Sequence, residues 1–312
     1  MPRAGRRPGR SASYATFDDY AVDPDDEHPS RPVVRTRLTE ALGDAVARLA
    51  TAGVESPRVD AELLVAHVLD VPRGRLLLVD SLRPDELRRF TALVAERARR
   101  VPLQHLLGTA AFRHLDLSVG DGVFVPRPET ELLAGWGIER VTPGATVVDL
   151  CSGTGAIALA VADESPAARV IAVERSPVAL SFLRRNAAGY PSVEVVPGDV
   201  TDPGVLSGLA GAVDVLLCNP PYVPDGTPVP PEVAEHDPAE AVFGGADGLA
   251  VIRPVIGLAA TLLKSGGHLG IEHDDGHAAA VPELLRADGR FTGVTAHADL
   301  TGRPRFATAR RT

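Results

Sequence analysis

The sequence predicts an α/β protein in which a largely parallel β-sheet, with helices on both faces, follows a small helical bundle. Three observations carry this expectation. From Thr146 onward, apolar strand-like runs alternate with helical stretches, and such alternation builds parallel sheets through helical crossovers. The first run, Val147-Val148-Asp149-Leu150, leads into the glycine-bearing turn Cys151-Ser152-Gly153-Thr154-Gly155 and then an apolar helix from about Ile157. Residues 36–108, by contrast, read as helices throughout.

Composition sets the outer limits. A chain of 312 residues that is 45% hydrophobic can bury a sizeable core, but with aromatics at 4% that core must be built from Ala, Val and Leu. The formal charge of −9 weighs against a nucleic-acid substrate, because phosphate binding normally draws on a basic face. No stable nucleic-acid binding is expected. Lys264 is the only lysine, which reads as coding bias. The two cysteines, Cys151 and Cys218, have no metal-ligand spacing and no disulfide framework around them, so no metal is expected. No apolar run is long enough for a membrane span and no signal-peptide pattern opens the chain, so the expected setting is the cytoplasm.

Taken in order, residues 1–32 combine an arginine-rich start (Arg3, Arg6, Arg7, Arg10) with an acidic stretch from Asp18 to Glu27. Neither block has apolar periodicity, so a disordered tail is expected. Residues 33–108 form the helical domain. Leu38, Leu42, Val46 and Leu49 share one helical face, Ser56-Pro57 signals a second helix with Ser56 as N-cap, and Pro84 opens another containing Leu87, Phe90, Leu93 and Val94. Residues 109–128 form a β-hairpin linker: Phe112, Leu115, Leu117 and Val119 alternate as a strand, Gly120-Asp121-Gly122 turns, and Val123-Phe124-Val125 returns. Residues 129–312 form the catalytic domain, with strands at 146–150, 169–173, 193–197, 213–218 and 267–272 and two late ones near 291–297 and 305–308.

Ligands of such sheets bind at the carboxyl ends of the strands. Gly153 and Gly155 let backbone approach a ligand at the first strand end. Glu174 ends the second strand, where an acid can accept from both ribose hydroxyls, and Asp199-Val200 follows the third, where a carboxylate can meet an adenine amino group. A dinucleotide fingerprint requires a third glycine, but Ala158 stands three residues after Gly155. Asp149 just before the loop repels pyrophosphate and suits a cationic amino group. S-adenosylmethionine, which has an amino acid tail, a sulfonium and no phosphate, fits better than a nicotinamide.

Asn219-Pro220-Pro221-Tyr222 closes the fourth strand. Prolines donate no main-chain hydrogen bond and fix a rigid turn. The Asn219 side-chain oxygen and the Pro220 carbonyl can together accept both N–H groups of a planar NH2, and Tyr222 offers a flat face. Such an NH2 is a weak nucleophile because its lone pair is delocalised. Two acceptors orient it and stabilise the positive charge that develops as a methyl group arrives. Alone, this tetrapeptide reads as an ordinary Pro-Pro turn; behind a cofactor loop it reads as a catalytic and substrate-binding site.

With these residues in view, the chain resembles the protein-(glutamine-N5) methyltransferases that modify peptide chain release factors. The resemblance spans roughly residues 36–310. It rests on Arg127-Pro128-Glu129-Thr130-Glu131, Asp149 through Gly155, Asn219 through Tyr222, His236-Asp237-Pro238, Phe243 through Gly248, Gly266-Gly267 and Glu272-His273. It implies a class I S-adenosylmethionine-dependent methyltransferase domain, with a Rossmann-like seven-stranded sheet and an antiparallel last strand, behind a helical domain and a hairpin. It implies methylation of the glutamine in the Gly-Gly-Gln loop of class I release factors, the expected partners. It also implies that Cys151, Ser152, Gly153, Thr154, Gly155, Glu174, Asp199, Val200 and Asn219 face the cofactor, that Asn219, Pro220, Pro221 and Tyr222 hold the glutamine, and that Phe112 covers the cofactor. Two positions depart from the pattern: Cys151 stands where glycine is usual, and Glu174 where aspartate is usual.

An adenine-N6 methyltransferase acting on DNA or RNA is the alternative, since adenine also presents a planar NH2. Such enzymes usually add a target-recognition region, and the residues after Tyr222 suffice only to finish the sheet. A non-catalytic cofactor-binding protein has no need of an intact Asn219–Tyr222. Cys151 and Cys218 close adjacent strands and read as two buried small residues rather than a redox pair. His236, His273 and His277 lack metal-ligand spacing and read as structural. Pro228, Pro230 and Pro231 mark a substrate loop expected to be mobile.

Overall fold

The computed structural model describes residues 35–166 and 168–312; the tail expected at 1–32 lies outside them. Strand β1 (Thr36–Arg37) leads into helix α1 (Leu38–Thr51), which turns Leu38, Ala41, Ala45 and Leu49 inward. Helix α2 (Pro57–Leu69) packs Ala61, Leu64, Val65 and Val68 against them. Strand β2 (Ser81–Leu82) pairs with β1, and α3 (Pro84–Ala98) adds Phe90 and Val94 to the same core. The short α4 (Leu103–Leu107) completes this cluster. Ser56 precedes α2 but its side chain caps nothing: its carbonyl takes the Asp60 N–H at 3.0 Å, and Pro57 has no N–H to offer. A one-sided cap forms instead at α3, where the Glu86 carboxylate accepts from Arg83 N at 2.7 Å and from Arg83 Nε at 2.8 Å.

The hairpin is real but differs from the one expected over 109–128. Strand β3 (Thr109–Phe112) pairs with β4 (Leu115–Ser118) around a turn at Arg113-His114, so the predicted single strand is itself the hairpin. Gly120-Asp121-Gly122 is a loop, and Val123-Phe124-Val125 is not a strand. The turn carries no glycine because Arg113 is held at φ 52° by other means. Its N–H donates to Glu131 Oε1 at 2.9 Å, and its guanidinium pairs with Glu164. These bonds offset the roughly 1–2 kcal/mol cost of a left-handed non-glycine residue. Val119, Val123 and Val125 lie buried with Ala110 and Ala179, so the stretch after the hairpin is anchored by apolar contact.

The catalytic half runs α5 (Thr130–Ile138), β5 (Thr146–Leu150), α6 (Ala156–Glu164), β6 (Arg169–Glu174), α7 (Pro177–Asn186), β7 (Val193–Pro197), β8 (Val213–Cys218), α8 (Pro231–His236), α9 (Ala239–Val242), α10 (Ile252–Leu262), β9 (Leu263–Glu272), α11 (Ala280–Asp288), β10 (Phe291–Ala298) and β11 (Pro304–Arg311). Seven strands form one sheet in the order β10-β11-β9-β8-β5-β6-β7. Strands β5 to β9 pair in parallel, and β11 pairs antiparallel with both β9 and β10. Helices α10 and α11 cover one face; α5, α6, α7 and the hairpin cover the other. This is the class I S-adenosylmethionine-dependent methyltransferase fold with a helical domain in front of it. Strand β9 starts four residues earlier than expected, because a bulge at Lys264–Gly267 shifts its register against β8 and hides the first part of the strand from a pattern reading.

A buried ion-pair chain ties the helical domain to the stretch after Asn219–Tyr222. Arg97 Nε donates to Asp60 Oδ2 at 2.7 Å and Arg97 Nη2 to Glu232 Oε1 at 2.9 Å. Arg100 Nη2 reaches Glu232 Oε2 at 2.6 Å. The proline-rich stretch is thus docked through α8, which Pro231 opens, rather than hanging free. Burial pushes the Glu232 pKa up, but hydrogen bonds and charge from Arg100 and Arg97 outweigh it and hold the group at about 2, against an ordinary 4.5. With a depressed folded-state pKa, the unfolded chain binds the proton first. Its contribution is therefore complete above about pH 4.5 and lost as pH falls toward 2. Urea denaturation should show Glu232→Gln less stable than the parent at neutral pH, with the gap closing across that window.

Candidate active site

Strands β5, β6, β7 and β8 end on a single cleft. Of the residues expected there, Cys151, Ser152, Gly153, Thr154, Glu174, Asp199, Val200, Asn219 and Pro221 line it, whereas Gly155, Pro220 and Tyr222 do not. Gly155 acts one layer back. It is the N-cap of α6 at φ 93°, and a Cβ there would sit 2.6 Å from Leu183 Cδ1, so its smallness lets α6 approach α7. Pro220 is buried. Tyr222 turns inward, its hydroxyl donating to buried Glu272 Oε1 at 3.0 Å, so its ring does not provide a wall of the cleft. Phe112 is 1% exposed in the core beneath the hairpin, and the ring at the cleft is Phe124, stacked under Arg127 at 4.7 Å.

The loop after β5 is held from both sides. Cys151 adopts φ 59°, the left-handed conformation that the usual glycine takes freely, and Ser152 Oγ donates to the Asp149 carbonyl at 2.8 Å. Gly153 has φ 56° and open space where a Cβ would stand. Its N–H donates to Glu174 Oε2 at 2.8 Å, while Glu174 Oε1 accepts from the N–H groups of Arg175 and Ser176 at 2.8 and 2.7 Å. The extra methylene of glutamate lets the carboxylate reach the loop. Three of its roughly four acceptor directions are thereby taken, so a grip on both ribose hydroxyls requires one of these bonds to yield. Asp199 stays ionised: hydrogen bonds from the Thr201 backbone and hydroxyl, with Arg175 nearby, lower its pKa despite partial burial.

Asp149 is the acid the cleft leaves unpaired. It is 1% exposed, Oδ2 accepts the Ala158 N–H at 3.1 Å, and Oδ1 has no partner. Burial raises its pKa to about 7, with the Ala158 hydrogen bond pulling the other way and Glu174 adding to the rise. A cation in the cleft would supply the missing compensation. The donor set therefore fits a ligand that has an ammonium or sulfonium and lacks phosphate.

At the end of β8, Asn219 Nδ2 donates to Thr130 Oγ1 at 3.1 Å. Among the described residues no donor reaches Asn219 Oδ1. Val223 pairs with Phe243, and Gly244 N donates to Val223 O at 2.9 Å, so the segment 242–248 lies directly behind the turn. His277 Nε2 donates to Asp247 O at 2.9 Å, and His273 is fully buried with Nδ1 donating to Asp274 O, which gives both histidines structural work. Asp237 is pinned by Arg127 at 2.6 Å. Cys218 is fully buried, and burial together with neighbouring Cys151 pushes its thiol pKa up. Thr130, Phe124 and Arg127 are among the cleft residues that motif reading did not assign. Only their place in Val123–Glu131, just before the first strand, pointed to them.

Comparison with known proteins finds relatives that match over most of the chain. The model of the PrmC N-terminal domain matches residues 40–108, and that of the methyltransferase small domain matches residues 131–235. The chain is 58% identical over 277 residues to a release factor glutamine methyltransferase of Mycolicibacterium smegmatis, covering 88% of this chain and 98% of the relative. It is 47% identical to that of Mycobacterium tuberculosis strain H37Rv, covering 88% and 91%. It is 45% identical to that of Streptomyces coelicolor, covering 88% and 98%.

Proposed function

The chain belongs to the release factor glutamine methyltransferase family, and on that premise we propose that it methylates N5 of the glutamine in the Gly-Gly-Gln loop of class I peptide chain release factors, using S-adenosylmethionine. The observation that carries this reading is the Asn219 amide, which lies at the cleft with its NH2 tied to Thr130 and its oxygen free of protein donors. Asn219 Oδ1 and the Pro220 carbonyl accept the two N–H groups of the substrate amide and aim its nitrogen along the cleft. When bound, S-adenosylmethionine supplies a methyl group already activated by its sulfonium. Asp149 compensates the cationic end of the cofactor, Glu174 accepts from its ribose, and Asp199-Val200 meets its adenine. Positioning carries most of the catalysis. No strong base is needed, because the methylated nitrogen is acidic and gives up its proton to water.

No helix among the described residues is long and apolar enough to cross a membrane. The test is direct: purified protein, labelled cofactor, and release factors carrying Gln or Ala in the Gly-Gly-Gln loop. Label should enter only the Gln form. Equal labelling of both forms, or labelling of nucleic acid alone, would overturn the reading.

A further inference from the structure

We propose that Arg127 and Asp237 form a clasp at the mouth of the cofactor cleft, and that S-adenosylmethionine enters and leaves when this ion pair opens. The inference rests on the cofactor assignment in the reading above and adds to it the residues that govern exchange.

The sheet provides only part of the cleft. Two strips from outside it complete the lining: Phe124, Pro126 and Arg127 from the stretch before α5, and Pro238, Glu240 and Ala241 from the segment after Tyr222. The first strip is fixed. Val123 and Val125, on either side of Phe124, are each 1% exposed, and His105 Nε2 donates to the Val123 carbonyl at 3.2 Å. The second strip is a flap. It leaves the site at Val223 and returns at Val242, where Val223 N donates to Val242 O at 3.0 Å. Helix α8 within it is tied to the helical domain through Glu232. Just beyond α8, Asp237 Oδ2 accepts from Arg127 Nη2 at 2.6 Å, which joins the two strips across 110 residues of sequence.

Burial shows what this bond carries. The Asp237 side chain is 1% exposed and that of Arg127 32%, so the carboxylate lies inside and the guanidinium at the rim. The other carboxylate oxygen, Oδ1, is buried with no partner, which leaves Arg127 to compensate the charge. Burial pushes the Asp237 pKa up, and the charge of Arg127 pulls it back. Arg127 also lies over the Phe124 ring at 4.7 Å, so ring, guanidinium and carboxylate make one bridge from the linker to the flap. Asp237 does not itself line the cleft; it acts there through Arg127 and through Pro238, which follows it. Arg127-Pro128 and His236-Asp237-Pro238, which the methyl-transfer geometry leaves without a role, meet in this bridge. A pair with a solvent-facing guanidinium opens at modest cost, as a gate must. When it opens, α8 stays held by Arg97 and Arg100, so only the part of the flap beside the cleft is released.

The experiment binds labelled S-adenosylmethionine to the full chain without release factor and chases it with excess unlabelled cofactor. Arg127→Met keeps the stem over Phe124 and loses the charge. Its cofactor should dissociate about 10-fold faster than the parent's, with association no slower, because changes of this kind reside in the off-rate. Asp237→Asn keeps the size and loses the charge, and should also dissociate faster. The double variant leaves no buried charge unpaired. It should dissociate no faster than Arg127→Met, as expected of two groups that act as one unit. If Arg127→Met fails to fold, as judged by circular dichroism, the double variant reads the same clasp against the parent. A parental dissociation rate in a folded variant that lacks the pair would overturn the proposal. So would an effect of Arg127→Met with Asp237→Asn at the parental rate, which would make Arg127 a direct cofactor contact, and so would slowed association, the mark of a deformed cleft. Failure of the parent protein to bind S-adenosylmethionine would overturn the underlying cofactor reading instead.

Discussion

Asn219→Ala is expected to lower kcat by about 10²- to 10³-fold, the range seen when one preorganised group facing developing charge is removed. The reason lies in what the amide nitrogen becomes during transfer. Its lone pair leaves conjugation and positive charge builds on the N–H groups, so an acceptor on those hydrogens is worth more in the transition state than in the bound substrate. Asn219 Oδ1 is such an acceptor, in a site where Nδ2 is already spent on Thr130. The loop that binds the cofactor is braced by other groups, namely Glu174 on Gly153 and Ser152 on the Asp149 carbonyl. Cofactor affinity, measured by calorimetry, should therefore change little while single-turnover rate collapses. Unchanged turnover would place the acceptor pair elsewhere.

The parts of the fold that could be read from sequence were those in which local pattern and tertiary role coincide. The run Val147–Leu150 is buried on both faces and flanked by glycines, so its composition, its strand conformation and its place at the centre of the sheet agree. The hairpin was misread because its turn is stabilised by ion pairs from Glu131 and Glu164, residues that no local window includes. A Gly-Asp-Gly loop a few residues on offered the stronger local signal. Phe112 and Phe124 exchanged places for the same reason: once the turn moves to Arg113-His114, Phe112 ends β3 under the hairpin and the later ring reaches the cleft.

The candidate site divides in the same way. Backbone-approach residues were legible, because glycine at a strand-to-helix turn has few other uses. Residues acting through a partner were not. Thr130 comes to the site only because Asn219 meets it from the end of β8, and Glu232 matters only because Arg97 and Arg100 meet it from α3 and its end. Tyr222 was legible as part of a motif, but its role was not. A tyrosine that is half-exposed can offer its face, whereas one whose hydroxyl reaches a buried carboxylate is a tether.

That tethering makes the turn sensitive from behind, and Gly244→Ala should expose it. Gly244 has an ordinary backbone conformation, so alanine carries no torsional penalty there. A Cβ, however, would stand 2.5 Å from the Pro221 carbonyl oxygen and 2.7 Å from the Gly248 carbonyl oxygen. Both neighbours are backbone and neither can swing away. The Gly248 side is further confined, since a Cβ at Gly248 would itself lie 2.3 Å from the Tyr222 carbonyl oxygen and 2.6 Å from His277 Cε1. Relief must come from moving Asn219–Tyr222 toward the cleft by a good fraction of an ångström. A displacement of that size at a positioning site costs about 10²-fold in rate, and overpacking costs about 1–3 kcal/mol in stability. The expected result is a large fall in kcat with cofactor affinity near that of the parent, since the loop after β5 does not touch Gly244. Gly257→Ala is the control: it lies within α10 with nothing within 4 Å of its Cβ, and should keep full activity while gaining up to about 1 kcal/mol from helix propensity. Parental kcat in the Gly244→Ala variant would mean that the turn yields without consequence and that its rigidity plays no part in holding the substrate amide.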